Sequence, residues 1–174
     1  ADLRGKYLLK QRMEVLQAMI EQGNATVVTS IDGFMDALLP FSVMKERIRV
    51  FKLGETVDFE QLKRDMVALG YDREEEISGP GQFAVRGGIL DVYPLTEEVP
   101  IRIELWGDEI DSIRTFDVES QRSIENLEQI TIYPASDFPE EEAKRVSLLD
   151  YFDTDKTVLF LDEPVRLIET GEGV

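Results

Sequence analysis

Gly81-Gln82-Phe83-Ala84-Val85-Arg86-Gly87-Gly88-Ile89-Leu90-Asp91-Val92-Tyr93-Pro94 is the stretch at which the fold becomes readable. Two short alternating runs, 82–86 and 89–93, flank a Gly-Gly break where the backbone can turn or bulge without a Cβ in the way. As a strand, 82–86 sends Phe83 and Val85 to one side and leaves Arg86 on the other. Paired glycines also suggest a phosphate loop. That reading lacks the Gly-Lys-Ser/Thr ending and has a strand where a helix is needed.

Outward from this stretch, runs of the same texture follow at 100–106, 109–116 and 127–133, punctuated by Thr96-Glu97-Glu98 and Gly107-Asp108. Upstream, Asp58 with Gln61 resembles a capping box, Phe59, Leu62, Met66 and Leu69 form one apolar helical face, and Gly70 ends it. These residues predict a small, largely antiparallel sheet backed by a helix over 58–69, preceded by a strand over 47–53 that turns at Gly54-Glu55.

The flanks read differently. Leu9, Met13, Leu16 and Ile20 keep one helical face over 4–22, with Gly23 as a cap. Residues 26–29 read as a short buried strand and 30–39 as a short helix stopped by Pro40. After Pro134 come an acidic helix start at 139–142, a helical piece at 148–152 and the apolar run Val158-Leu159-Phe160-Leu161, typical of a strand covered on both faces. The fold class expected is α/β: one α/β domain, begun over 1–48 and resumed over 135–174, interrupted by a small α+β domain over 49–134.

Composition narrows the function. Of the 174 residues none is Cys or His, which removes disulfides, thiolate metal sites, a cysteine nucleophile, Ser-His-Asp chemistry and zinc hydrolysis. Nineteen Lys and Arg against 36 Asp and Glu give a formal charge of −17, so most of the surface repels a phosphate backbone. No apolar run approaches the roughly 20 residues that span a bilayer, and Ala1-Asp2-Leu3-Arg4 opens no signal peptide, which suggests a cytoplasmic protein without a membrane partner. A start without Met and an end at Gly171-Glu172-Gly173-Val174 suggest a piece of a longer protein.

Three places could carry chemistry. In Pro100-Ile101-Arg102-Ile103-Glu104-Leu105-Trp106, alternation buries Ile101, Ile103 and Leu105 and puts Arg102, Glu104 and Trp106 together on the other face. Arg and Trp are enriched at binding hot spots. The alternative is that the 58–69 helix or a loop covers Trp106 while Arg102 pairs with Glu104 or a neighbouring carboxylate. Next, 158–163 has the shape of a Walker B strand, with Asp162 to hold Mg²⁺ and Glu163 to polarise water, yet no phosphate loop completes it. Last, the acidic runs 72–76 and 140–142 could be imagined as cation sites, but read better as solvated faces or helix starts.

The string from Gly81 to Pro94, together with Arg102-Ile103-Glu104-Leu105-Trp106-Gly107-Asp108-Glu109-Ile110-Asp111-Ser112-Ile113-Arg114-Thr115-Phe116-Asp117, Ser120-Gln121-Arg122-Ser123 and Tyr133-Pro134-Ala135, resembles the UvrB-homology region of bacterial transcription-repair coupling factors (Mfd). UvrB shares the Val-Arg-Gly core and the Gly-Asp-Glu turn, whereas Ser112 to Phe116 followed by Ser120-Gln121-Arg122 is closer to the coupling factor. Weaker likeness extends over most of 8–140. The resemblance implies a partial RecA-like domain with a degenerate nucleotide site, interrupted by a UvrA-binding domain.

It implies UvrA recruitment for nucleotide excision repair, through Arg86, Arg102 and Trp106, with Glu104 on the same face. At 105–106, Leu-Trp stands where the family often has paired aromatics. Asp162-Glu163-Pro164 departs from the expected Asp-Glu-Ser-His, so no catalysis and no cofactor are expected in this chain. ATP, Mg²⁺, RNA polymerase and double-stranded DNA would engage other domains of the parent, one of which is expected to mask the docking face. The alternatives are a nucleotide hydrolase acting through Asp162 and Glu163, and a direct damaged-DNA binder, which the charge opposes.

Overall fold

A computed structural model of the chain describes residues 3–23, 25–30, 33, 38, 40–136, 145–160 and 162. Alternation and turn chemistry build its centre. Strands β2 (Asp72–Glu74), β3 (Gln82–Arg86), β4 (Ile89–Tyr93), β5 (Ile101–Trp106), β6 (Glu109–Phe116) and β7 (Ser123–Asn126) form one six-stranded sheet in chain order. β2 runs parallel to β3, and every later pairing is antiparallel. Two-residue connections join β3 to β4 and β5 to β6, with Gly87 at φ 60° and Gly107 at φ 65°, a backbone region that only glycine enters freely. A second, two-stranded antiparallel sheet pairs β1 (Arg49–Lys52) with β8 (Gln129–Ile132).

The ladder registers sort the side chains into rows. Phe83, Val92 and Ile101 lie opposite one another with Thr115, and Val85, Leu90, Ile103 and Ile113 form the next row, nearly all of it fully buried. On the other face Ala84, Asp91, Arg102 and Arg114 make one row, and Arg86, Ile89, Glu104 and Ser112 another. The sheet is therefore a two-sided wall, apolar behind and polar in front.

β6 carries one residue more than β5 opposite it. Glu104 faces Ser112 but Leu105 faces Ile110, so Asp111 bulges out and both Ile110 and Ile113 stay buried. The stretch 54–57 then runs beside the first half of β6, with Gly54 N–H on the Ile110 carbonyl, Ile110 N–H on that of Glu55 and Val57 N–H on that of Asp108.

Helix α3 (Phe59–Ala68) follows from its ends. Asp58 accepts from the N–H groups of Glu60 and Gln61, while Leu62 and Met66 form its buried stripe. At the other end Gly70 N–H bonds to the Val67 carbonyl and Tyr71 N–H to that of Met66, the Schellman pattern, with Gly70 at φ 87°. Tyr71 then donates its hydroxyl to the Tyr133 carbonyl at 2.8 Å, in the interior. Burial pushes this phenol's pKa far up.

The chain divides into two compact units, Ala1–Gly23 with Arg47–Ser136, and Asn24–Glu46 with Asp137–Val174. Helix α1 (Leu3–Gln22) thus groups with the sheet instead of with the flanks. Met13 and Leu16 are its buried residues, Lys10 reaches Glu98, and Glu21 accepts from the Tyr133 hydroxyl at 2.7 Å. In the second unit, Leu38 and Val146 exchange two 2.8 Å backbone hydrogen bonds, and Phe41, in helix α2 (Phe41–Arg47), meets Tyr151 edge to face. Short 3₁₀ turns follow at Leu148–Tyr151 and Thr154–Lys156.

This is a sheet-rich α+β fold, and several expectations need correcting. Residues 26–29 form no ladder and Val28 is 93% exposed. Val158, Leu159 and Phe160 likewise stand in solvent outside any strand. An apolar run becomes a buried strand only beside strands with open edges, and no strand ladder of the second unit lies among the described residues. Helix α2 was not anticipated, nor was β7, whereas the run expected over 127–133 is β8. The helix expected over 30–39 falls mostly outside the described residues, as does the acidic start at 139–142.

A Cβ at Gly70 would stand 2.4 Å from the Ser136 Cβ and 3.1 Å from its amide nitrogen, besides straining φ. Gly70→Ala is expected to destabilise the chain by about 2 kcal/mol or more in urea unfolding; an unchanged midpoint would contradict this account. Tyr71→Phe, which leaves the Tyr133 carbonyl without its buried donor, is expected to cost about 1 kcal/mol in the same assay.

Candidate functional site

The polar face of the six-stranded sheet is where the candidate residues meet. At its centre Arg102 is only 7% exposed. Its Nε donates to Asp91 Oδ1 at 2.7 Å and its Nη2 to Asp91 Oδ2 at 2.8 Å, a bidentate fork across neighbouring strands. Nη2 also donates to Gln121 Oε1 at 2.8 Å, and the guanidinium carbon lies 4.3 Å from the centre of the Phe116 ring. The hydrogen bond to Asp91 raises the guanidinium pKa against the opposing effect of burial, so the group stays charged.

Arg102 and Arg114 are direct cross-strand neighbours, a like-charge placement that is unfavourable alone. Each has its own carboxylate. Arg114 clamps Glu104 at 2.5 and 3.3 Å, and Ser112 donates to the same carboxylate at 3.2 Å. Beside Arg102, Ala84 and Phe116 pack with Ile77 and Tyr93 into a small second core on this polar side of the sheet.

Below that core the face opens. Arg86, the last residue of β3, is exposed, and among the described residues no hydrogen bond or ion pair engages it. Trp106, the last residue of β5 and the chain's single tryptophan, is 83% exposed. Each stands at the start of a glycine turn, and half-buried Ile89 lies between Arg86 and Glu104 in the same cross-strand row. Thr56, Val57, Asp58, Phe59, Gly107 and Asp108 line an open hollow of about 430 Å³ beside the Trp106 turn.

The four sheet residues singled out from the sequence therefore share one face in two different states. Arg86 and Trp106 are unengaged, whereas Arg102 and Glu104 are held by other side chains. Arg102 lies on the expected face but is drawn into the sheet surface by Asp91 and Gln121, so the alternative of a pairing with a neighbouring carboxylate holds for Arg102, while Trp106 stays uncovered. Leu105, expected in the core, is only half-buried, because β5 loses regular register with β6 at that point. Sequence reasoning missed Asp91, Arg114 and Gln121. Asp91 and Arg114 share the parity of Arg86 and Arg102 along their strands, but strand register decides who faces whom.

Asp162 is exposed in a bend, and Glu163 lies outside the described residues. Among the described residues no group of three or more Asp or Glu side chains is arranged to hold a metal ion, and no helix is long and apolar enough to cross a membrane.

Comparison with known proteins adds lineage to this geometry. The transcription-repair-coupling factor of Bacillus subtilis (strain 168) is 39% identical over 146 residues, which cover 82% of this chain and 12% of the relative. Those of Staphylococcus haemolyticus (strain JCSC1435) and Staphylococcus aureus (strain MRSA252) are 39% and 40% identical over 131 residues, 75% of this chain and 11% of each relative. This chain thus spans a small fraction of the length of the curated relatives it matches. The profile of the UvrB interaction domain covers residues 50–138, from β1 through β8 and all of the polar face. With more than half of its 174 residues inside that profile, the chain belongs to the UvrB interaction domain family.

Proposed function

We propose that the chain is a protein-docking module that recruits UvrA in transcription-coupled nucleotide excision repair, through the open end of the polar sheet face. One observation carries this reading: an unengaged arginine, Arg86, and a largely bare tryptophan, Trp106, stand on one rigid sheet face at adjacent glycine turns. Exposed Trp is unfavourable in water and energetically productive when a partner covers it, and Arg supplies a planar fork of donors for partner carboxylates. A chain of charge −17 gains specificity from such a local cation, because it draws an acidic patch to one place and leaves the rest of the surface repelling it.

In this reading Arg86 and Trp106 make the primary contacts. Arg102 is a largely internal support whose outermost nitrogen reaches the partner, and Glu104 keeps Arg114 in place. The reading requires neither catalysis nor a cofactor from this chain. From the resemblance alone the flanks are assigned to a RecA-like domain whose remaining parts come from a longer protein, located in the cytoplasm; among the described residues the flanks themselves form no strand ladder. ATP with Mg²⁺, RNA polymerase and double-stranded DNA are proposed partners of that whole protein through its other domains.

Titration calorimetry of the chain with UvrA tests the assignment. Arg86→Glu and Trp106→Ala are each expected to weaken binding by about 2 kcal/mol or more while leaving the melting temperature unchanged. Wild-type affinity in both variants would overturn the choice of face. Arg102→Glu is expected to behave differently, setting a second carboxylate against Asp91 and lowering stability by about 3 kcal/mol in urea unfolding.

A further inference from the structure

Gln121 is the only non-glycine residue with positive φ among the described residues, at 59°. Left-handed backbone is unfavourable for a residue with a Cβ, and such positions persist where surrounding bonds enforce them. Here they do. Gln121 N–H bonds to the Asp117 carbonyl at 2.8 Å, and its Nε2 donates to the Val118 carbonyl at 2.8 Å. Asp117 N–H in turn bonds to the Arg122 carbonyl at 2.9 Å, and the Asp117 carboxylate accepts from the Ser120 amide and hydroxyl at 2.8 and 2.7 Å. The 117–122 loop is thus closed on itself, with the carboxamide oxygen of Gln121 fixed outward onto Arg102.

The guanidinium has five N–H donors. Asp91 and Gln121 take Nε and both hydrogens of Nη2, so rotation of the group is blocked, and Phe116 supports it from beneath. Among the described residues Nη1 makes no hydrogen bond, and it is not completely buried. Asp91 alone would tolerate an exchange of which edge of the fork it holds. Gln121 adds the third point that selects one orientation.

We propose that Gln121 is a positioning residue for docking: it locks the Arg102 fork so that the two Nη1 hydrogens are presented, pre-aimed, to a carboxylate or carbonyl oxygen of the partner. This rests on the reading of the polar face as the UvrA-docking surface. It gives the carboxamide of Gln121 a task beyond closing the loop, because its Nε2 serves the loop through Val118 while its Oε1 is left to hold Arg102.

The test is a double-mutant cycle in affinity for UvrA, using the 174-residue chain with Gln121→Gly and Arg102→Lys. Glycine accepts the φ of 59° without strain and removes the whole side chain, so the Nε2 bond to the Val118 carbonyl is lost together with the bond to Arg102. Gln121→Gly is expected to weaken binding about fivefold in the wild-type background and to have no effect in the Arg102→Lys background, where no fork remains to be aimed. A parallel melting curve separates this coupling from stability. Arginine side-chain NMR gives a second readout that does not depend on Arg102→Lys folding: Nη1 and Nη2 protons of Arg102 resolved in the wild type and exchange-averaged in Gln121→Gly. Wild-type affinity for Gln121→Gly, equal losses in both backgrounds, or resolved protons in both chains would overturn the proposal. If Arg86→Glu and Trp106→Ala weaken binding while Gln121→Gly does not, this inference alone fails; if those two bind as wild type, the docking reading fails with it.

Discussion

Arg102 sits over the Phe116 ring with its fork on Asp91 and its remaining Nη2 hydrogen on Gln121. This contact lets a polar face exist in the middle of a six-stranded sheet. Without it, Asp91 would be a half-buried carboxylate without its cation, Arg102 and Arg114 would be adjacent like charges, and the 117–122 loop would lose its bond to the sheet face. Buried ion pairs are a weak source of net stability but costly to break, so the pair is better understood as fixing geometry than as adding free energy. The apolar rows behind, with the helical stripe of Leu62 and Met66, supply the burial that holds the sheet together.

The division of labour along the face follows from where it is covered. Near Phe116 the surface is closed by Ile77, Ala84 and Tyr93. Near the two glycine turns nothing among the described residues engages Arg86, and Trp106 remains bare. For the proposed docking, a fixed half and an open half on one sheet confine what must be ordered to a few side chains, Arg86 and Trp106 among them, which limits the entropic cost of association.

Much of this was legible because local rules suffice for local features. Alternation placed β3 to β6, Gly87 and Gly107 marked the turns, and Asp58 and Gly70 bounded α3. What failed was non-local. Asp91 becomes the partner of Arg102 only through the register of β4 on β5, the bulge at Asp111 leaves no sequence signature, and Gln121 has none of the residue types that usually announce a left-handed backbone. At 26–29 and 158–160 the same apolar texture lies in a unit with no strand ladder among the described residues, so the inference from hydrophobicity to strand lost its second premise. The resemblance to the coupling factors narrowed the partner. The exposed state of Arg86 and Trp106 changed which residues should meet it first.

The most direct test of the docking face uses the single tryptophan. A chain labelled with 5-fluorotryptophan gives one fluorine resonance, from Trp106, whose position in H₂O and D₂O differs while the indole is solvated. On titration with unlabelled UvrA the account predicts that this resonance shifts, broadens to the linewidth of the complex and loses its solvent-isotope difference. A sharp resonance that keeps the isotope difference, while calorimetry of the same sample reports saturation, would contradict it.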